Sequence, residues 1–396
     1  MTILFLTPRI PYPPYRGDKL KIWNLLRQLS QNHRIILVTF LENAEDRRYE
    51  TELTRVCSEL HLVPLPLWKK VGNCVLAVVG STPFQIVYYR SKDMERLIFD
   101  LVERHQPDVI YTHPIRMAQY TAALDSVPKV LDLTDALSLF LLRFRDVQKN
   151  PVYRWLLNVE FKRMAAYEKI ISKFEKVLLC SKVDRDFIAE RIRHPDIDLL
   201  YNGVDLEYFA NGEGIVSDPH RIIFTGNMSY SPNAHAAEYF VRNIFPKIKA
   251  RVPNATFFIV GQNPPKHVRA LHGGDVVVTG FVDDIRVEYL KSAVAVSPVQ
   301  FGSGTLNKVL EPMALGIPVV STLSSVQGLE LEHGAEIIVA AEPNDFADAV
   351  SSLLENPELR LSVGRAGMAK VRERFGWSRI AADLETMFQG LVEIHR

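Results

Sequence analysis

Twelve short apolar runs, separated by turns and by segments of helical periodicity, constrain this chain more than any other feature. In the first half they are TILFLT (2–7), RIILVTF (34–40), LHLVPL (60–65), DVIYTH (108–113), KVLDLT (129–134) and KVLLCS (176–181). In the second they are RIIFTGN (221–227), ATFFIVG (255–261), DVVVTGF (275–281), AVAVSPV (293–299), IPVVST (317–322) and AEIIVA (335–340). A strand covered on both faces has no polar side to show, so near-continuous apolar strands alternating with helices predict parallel sheets with helices on either face. Between the first two runs, Leu20, Trp23 and Leu26, with Ile22, Leu25 and Leu29, repeat at helical spacing. The pattern restarts after YNGVDLEYFANGEGIVSDPHR (201–221), which is rich in Gly, Asn and Asp, lacks periodicity and reads as a linker. The expected fold class is α/β, with two Rossmann-like domains.

A length of 396 residues suits two such domains, each with its own core. The formal charge of +1 provides no field that would draw the protein to nucleic acid, so no nucleic-acid partner is expected. Cys57, Cys74 and Cys180 are far apart and lack metal-ligand spacing, which points to free thiols in a reducing, cytoplasmic setting. The N-terminus has a six-residue apolar run before its prolines and lacks the long apolar region of a signal peptide. VGNCVLAVVG (71–80) is too short to cross a bilayer. The basic and aromatic stretch Leu139 to Lys176 reads as helix packed on a sheet, with a surface for anionic lipid as the second reading, hence a peripheral contact at the inner membrane face.

FGSGTLNKVLEPMALGIPVV (301–320) carries the most chemistry. Gly302 and Gly304 permit a tight turn and a close approach to a ligand. A helix from Thr305 to Leu315 would aim free N–H groups at an anion, with Lys308 adding a mobile positive charge. Glu311 cannot favour phosphate but can accept hydrogen bonds from two adjacent hydroxyls, as on a ribose, so the pair implies a nucleotide. The spacing fits neither GxGxxG nor GxxxxGK[ST]. A glycine turn opening an ordinary packing helix is the alternative.

NKVLEPMALGIPVVST, followed by GLE, resembles the nucleotide-sugar motif of glycosyltransferase family 4, whose GT-B fold has two facing Rossmann-like domains. PPYRGDKLK, DVIYTHP (108–114), YNGVD (201–205), FTGNMSYSPN (224–233) and TGFVDDI (279–285) resemble further family segments in the same order. The opening PRIPYPPYRGDK is similar to sugar transferases of exopolysaccharide or exosortase loci. The resemblance implies domains of 1–200, completed by a crossover helix over 378–396, and 201–377. It also implies a retaining transferase that moves a sugar from a nucleoside-diphosphate donor, of UDP or GDP type, to a glycan or lipid-linked acceptor. No further cofactor and no metal are expected.

By the same resemblance Glu311 is the ribose-binding second glutamate of the family's E-x7-E pair, and Ser303 stands where the first would be. Gly226 is followed by Asn227, and Asn233 lies further on, where many members place an arginine and a lysine on the diphosphate. The work on the diphosphate would then pass to Lys308, to the helix start near Thr305 and to backbone N–H groups around Gly17. Phe281, Gly304, Leu306 and Asn307 complete the implied donor-binding set. His113 matches the family's strand-end histidine, which positions the donor sugar; a packed histidine is the bland alternative. Arg16, Lys19 and Asp135 are candidates for the acceptor side, Asp132 is a further carboxylate that could face it, and Asp18 and Asp135 also read as helix caps. Asp184–Asp186 and Asp196–Asp198 have D-x-D spacing, which arises often by chance. The rival functions are a sugar-nucleotide epimerase and a nonenzymatic sugar-nucleotide-binding subunit.

Overall fold

The computed structural model describes every residue except 15–16, 78–79, 195, 211–213, 302–306 and 396. It divides into two compact units, Met1–Tyr201 with Ser378–Arg396, and Asn202–Trp377. The first holds β1 (Thr2–Thr7), β2 (Arg34–Leu41), β3 (Glu59–Pro64), β4 (Val109–Thr112), β5 (Lys129–Thr134), β6 (Lys176–Leu179) and β7 (Ile197–Leu199), in the order β3-β2-β1-β4-β5-β6-β7. The second holds β8 (Asp218–Thr225), β9 (Thr256–Val260), β10 (Val276–Gly280), β11 (Ser292–Ser297), β12 (Val319–Ser321) and β13 (Ile338–Val339), in the order β10-β9-β8-β11-β12-β13. Pairing between neighbours is parallel throughout both sheets. Strand order reverses at β1/β4 and again at β8/β11, and such switch points open a crevice at the carboxyl ends of the strands.

Burial on both faces explains the apolar runs. Leu4 and Leu6 of β1 pack with Met94, Ile98 and Leu101 of the helix Lys92–His105. Phe5 instead meets Tyr111 of β4, which meets Phe388 from the terminal helix Trp377–His395. Glu385 of that helix also reaches His33 at 3.1 Å, so the end of the chain completes the first unit. In the second unit Phe224, Phe257 and Val294 share a core with Phe240, Ile248, Phe346 and Val350 from the covering helices.

Three expectations need correction. The sequence does not announce β7, because three residues, with Asp198 in the middle, carry too little apolar pattern. The presumed linker is largely built into the second unit: Val204 N–H donates to Phe375 O at 2.7 Å, Phe209 is buried, and β8 already starts at Asp218. Its Gly, Asn and Asp content marks turns, which a packed strap needs as much as a linker does. Asp18 lies in the first turn of the helix Gly17–Leu29, 3.5 Å from Arg9, and is not its cap.

One glycine contact fixes the carboxyl edge of the second sheet. A Cβ on Gly261, at φ +147°, would lie 1.8 Å from the Gly226 carbonyl oxygen, so only glycine lets the chain leaving β9 lie against the chain leaving β8. Gly261→Ala should therefore destabilise the protein by about 2–3 kcal/mol. Urea unfolding tests this, and a loss under about 0.5 kcal/mol, the range of neutral surface changes, would contradict it.

Candidate functional site

The edge of the second sheet gathers Glu311, Lys308, Tyr289, Thr225, Gly226 and Asn227 around the β8/β11 switch point. The helix Asn307–Ala314 follows β11 and is stopped by Gly316, whose φ of +75° suits the left-handed residue that ends a helix. The helix carries Lys308 and Glu311 one turn apart, both half-buried. Tyr289, fully buried on the helix Ile285–Leu290, donates from its hydroxyl to Glu311 Oε2 at 3.1 Å. Thr225 Oγ1, at the end of β8, lies 2.6 Å from the same hydroxyl and supplies the proton that Tyr289 does not. Glu311 is thus held from behind by a two-step hydrogen-bond chain.

The electrostatics of this pair are unusual. Among the described residues neither Lys308 nor Glu311 closes an ion pair. Burial pushes the Lys308 ammonium down to about 8, against the opposing pull of Glu311. Burial raises the Glu311 carboxyl above its usual range, opposed by the Tyr289 hydrogen bond and by Lys308. Both charges are less solvated than in water, and their near partners, the Tyr289 hydroxyl on Glu311 and the Phe224 ring 5.9 Å from Lys308 Nζ, are neutral, which is a property of binding sites more than of structural ion pairs. An anion at Lys308 and a diol at Glu311 would supply what each lacks.

Asn227 Oδ1 accepts from Ser229 N at 3.0 Å and Ser229 Oγ at 2.7 Å, so its carbonyl is used locally while its NH₂ has no acceptor among the described residues. Asn233 folds over Gly226 and donates to Asn227 O at 2.9 Å, which makes it a brace for the turn. Phe281, just past β10, is 55% exposed and offers an aromatic face at the same edge. Asn307 is the first described residue of the Lys308 helix. Ser303, Gly304, Thr305 and Leu306, and Arg16 in the first unit, lie outside the described residues. At the base of the 302–306 segment, Thr322 and Ser324 both donate to Val299 O, and Ser325 donates to Ser297 O at 3.2 Å. This hydroxyl network ties the chain leaving β11, and no spacing in the sequence announced it.

In the first unit His113 follows β4 and is 2% exposed. Its Nδ1 lies 3.3 Å from Asp132 Oδ2 and 3.4 Å from Thr134 Oγ1. A carboxylate neighbour requires a donor, so Nδ1 carries a proton towards Asp132 and leaves Nε2 as the ring atom open to a ligand. Nε2 is buried and has no hydrogen-bond partner among the described residues. Asp132 itself is fully buried. It pairs with Lys21 Nζ at 2.8 Å and accepts from the Tyr111 hydroxyl, and Thr134 N–H donates to its Oδ1 at 2.9 Å. Burial opposes its ionisation, but Lys21, followed by His113, holds its carboxyl well below the usual range. Asp132 is therefore an anchor for His113 and not a carboxylate facing an acceptor.

The other first-unit candidates are scattered. Gly17 opens its helix, and a Cβ there would meet nothing within 4 Å among the described residues beyond its chain neighbours. Lys19 Nζ reaches Tyr12 O at 3.5 Å. Asp135 accepts from Cys180 Sγ at 3.4 Å and does not cap the next helix, because Asp184 takes the Ala136 N–H at 3.0 Å. That role, with Ser181, removes Asp184 from any D-x-D reading, and Asp196 and Asp198 both face Lys176, at 2.7 and 3.6 Å. Arg9 was missed by sequence reasoning. It follows β1 and touches Tyr89, Asp18 and Glu42 at 2.7, 3.5 and 3.8 Å; its place after the strand at the switch point was the available signal.

Residues 219–356 match the family model described as Glycosyl transferases group 1. An uncharacterized 44.6 kDa protein in the cps region of Klebsiella pneumoniae is 21% identical over 371 residues, covering 89% of this chain and 91% of its own. Among solved structures, Anabaena HepE in complex with UDP and glucose superposes with a TM-score of 0.70 at 16% identity, over 98% of this chain and 99% of that one. Sucrose-phosphate synthase of Thermosynechococcus elongatus does so with a TM-score of 0.71 at 14% identity, over 100% of both chains. The fold is GT-B.

Proposed function

We propose, from the premise that this is a GT-B chain related to the group 1 glycosyl transferases, that it is a retaining, metal-independent transferase. It moves a hexosyl group from a nucleoside-diphosphate sugar to a hydroxyl of a glycan or lipid-linked acceptor in exopolysaccharide or cell-envelope synthesis. The observation that carries the reading is Lys308 and Glu311 at the switch point of the second sheet, two partly buried charged groups that close no ion pair among the described residues. The UDP in HepE and the cps-region setting of the Klebsiella relative support a UDP-type donor and a polysaccharide product. A lipid-linked acceptor would bring a cytoplasmic chain to the inner membrane face.

The roles follow from charge. Glu311 takes the ribose hydroxyls, and Lys308 with the helix start at Asn307 neutralises the diphosphate as it leaves. His113 Nε2 hydrogen-bonds a hydroxyl of the donor sugar and fixes its orientation, so that the acceptor attacks on the face the phosphate leaves. Glu311→Gln keeps an acceptor for Tyr289 but removes the charge facing the ribose. It should weaken UDP binding about ten- to a hundredfold, read as lost protection against heat unfolding. Unchanged protection would remove Glu311 from the site.

Asn227 and Ser303, where the family resemblance puts charged groups, favour one alternative, a subunit that binds a sugar nucleotide without turning it over. A panel of nucleotide sugars screened for heat protection, followed by release of free nucleotide when acceptor is added, separates the two. Acceptor-dependent release supports the transferase, and protection without release supports the binding subunit.

A further inference from the structure

We propose that the outer faces of two neighbouring helices in the first unit, Leu67–Leu76 and Pro151–Tyr167, form one surface that lies on an anionic lipid bilayer. The helices are linked through Phe84: its N–H donates to Glu160 at 2.8 Å and the Arg163 guanidinium lies 5.2 Å from its ring centre. Phe84 opens the short helix against which Leu67–Leu76 packs, and burial, followed by the charge of Glu160, raises the Cys74 thiol.

Both outer faces are apolar and uncovered. Trp68 and Trp155 are 70% and 63% exposed, and Val71, Val75, Val152 and Leu156 are also out in solvent. Each tryptophan stands with further bare aliphatic side chains on its own helix, which is more than the lone exposed apolar residue that is common on a protein surface. The helix Leu67–Leu76 has no acid of its own, its Lys69 and Lys70 being paired with Asp93 and Glu42 at 3.2 and 2.6 Å, and the only acid of Pro151–Tyr167 is Glu160, already used by Phe84, so the free positive charge lies on the second helix and just before it. Lys149, Arg154 and Lys162 have no carboxylate partner among the described residues. Unpaired cations around tryptophan and aliphatic side chains complement the headgroup layer of a negatively charged membrane, where an indole has both an apolar and a polar neighbour. No helix of the described residues is long and apolar enough to cross a membrane, so the contact is peripheral.

This inference deepens the membrane side of the proposed function, and its test does not depend on the donor. The full chain is sedimented with vesicles of phosphatidylcholine alone, and with vesicles of phosphatidylcholine and phosphatidylglycerol, at low and high salt. Binding should require phosphatidylglycerol and weaken with salt. The Arg154→Gln, Lys162→Gln variant should bind about twenty-five-fold more weakly, at about fivefold per cation, and the Trp68→Ser, Trp155→Ser variant should also lose affinity. UDP binding should stay unchanged in both, which separates failure of this surface from failure of the donor site. Absence of binding to the anionic vesicles, unchanged binding in both variants, or a dimer in solution that shields the two tryptophans would overturn the proposal.

Discussion

Replacing Lys308 with methionine should lower the rate of sugar transfer by about a hundred- to a thousandfold and, at the same time, stabilise the fold at neutral pH. The two effects have one cause. The Lys308 ammonium is held in a half-buried place without an ion-pair partner, and its pKa falls to about 8. Its folded pKa is therefore below its unfolded one, so between about pH 8 and the ordinary lysine range the unfolded chain binds more protons. Stability consequently rises as pH climbs through that window, and below it the buried charge costs about 1–2 kcal/mol once partial exposure is allowed for. Methionine keeps the stem and removes the cost. Donor affinity should run the other way and weaken as pH rises through about 8, because the cation that faces the diphosphate is lost. A parallel fall of stability and activity in Lys308→Met would make the lysine structural and contradict this account.

The second large effect is expected in the first unit. Lys21→Met leaves Asp132 buried among Tyr111, His113 and Thr134 without its cation, and breaking a buried pair of this kind costs about 3–5 kcal/mol. Exposed pairs of the same chain, such as Arg47–Glu50, would cost about 0–1 kcal/mol. The pH dependence has a definite sign. In the natural chain Asp132 has a depressed pKa, so its contribution is present above the unfolded carboxylate pKa and lost only in strong acid. In Lys21→Met the carboxyl is raised instead, and the deficit should shrink as pH falls from 8 to 5. Urea unfolding at both pH values measures it, and a deficit under about 1 kcal/mol, as for an exposed pair, would rule out the pair as an anchor.

The sheets were legible because burial on both faces writes each strand as an apolar run, and the Lys308–Glu311 helix was legible because its residues are neighbours in sequence. What was missed lies in long-range partners or in very short elements. Lys21 and Asp132 are 111 residues apart, Thr225 and Tyr289 are 64 apart, and Tyr289 and Glu311 are 22 apart. A lysine within an amphipathic helix reads as solvated until its counter-charge is placed beside it, so Lys21 gave no signal. Asp132 was misread for the same reason, as a strand-end carboxylate open to an acceptor. β7 failed for lack of length, and the 201–221 segment failed because turn residues serve packed straps and free linkers alike.

Titration calorimetry of UDP and of GDP into the full chain, and into a Glu311→Gln, Lys308→Met double variant, tests the central claim most directly. One saturable site per chain for at least one of the nucleotides, lost in the double variant, is the predicted result. Absence of binding by both nucleotides, or equal binding by the variant, would contradict the assignment of this edge as the donor site.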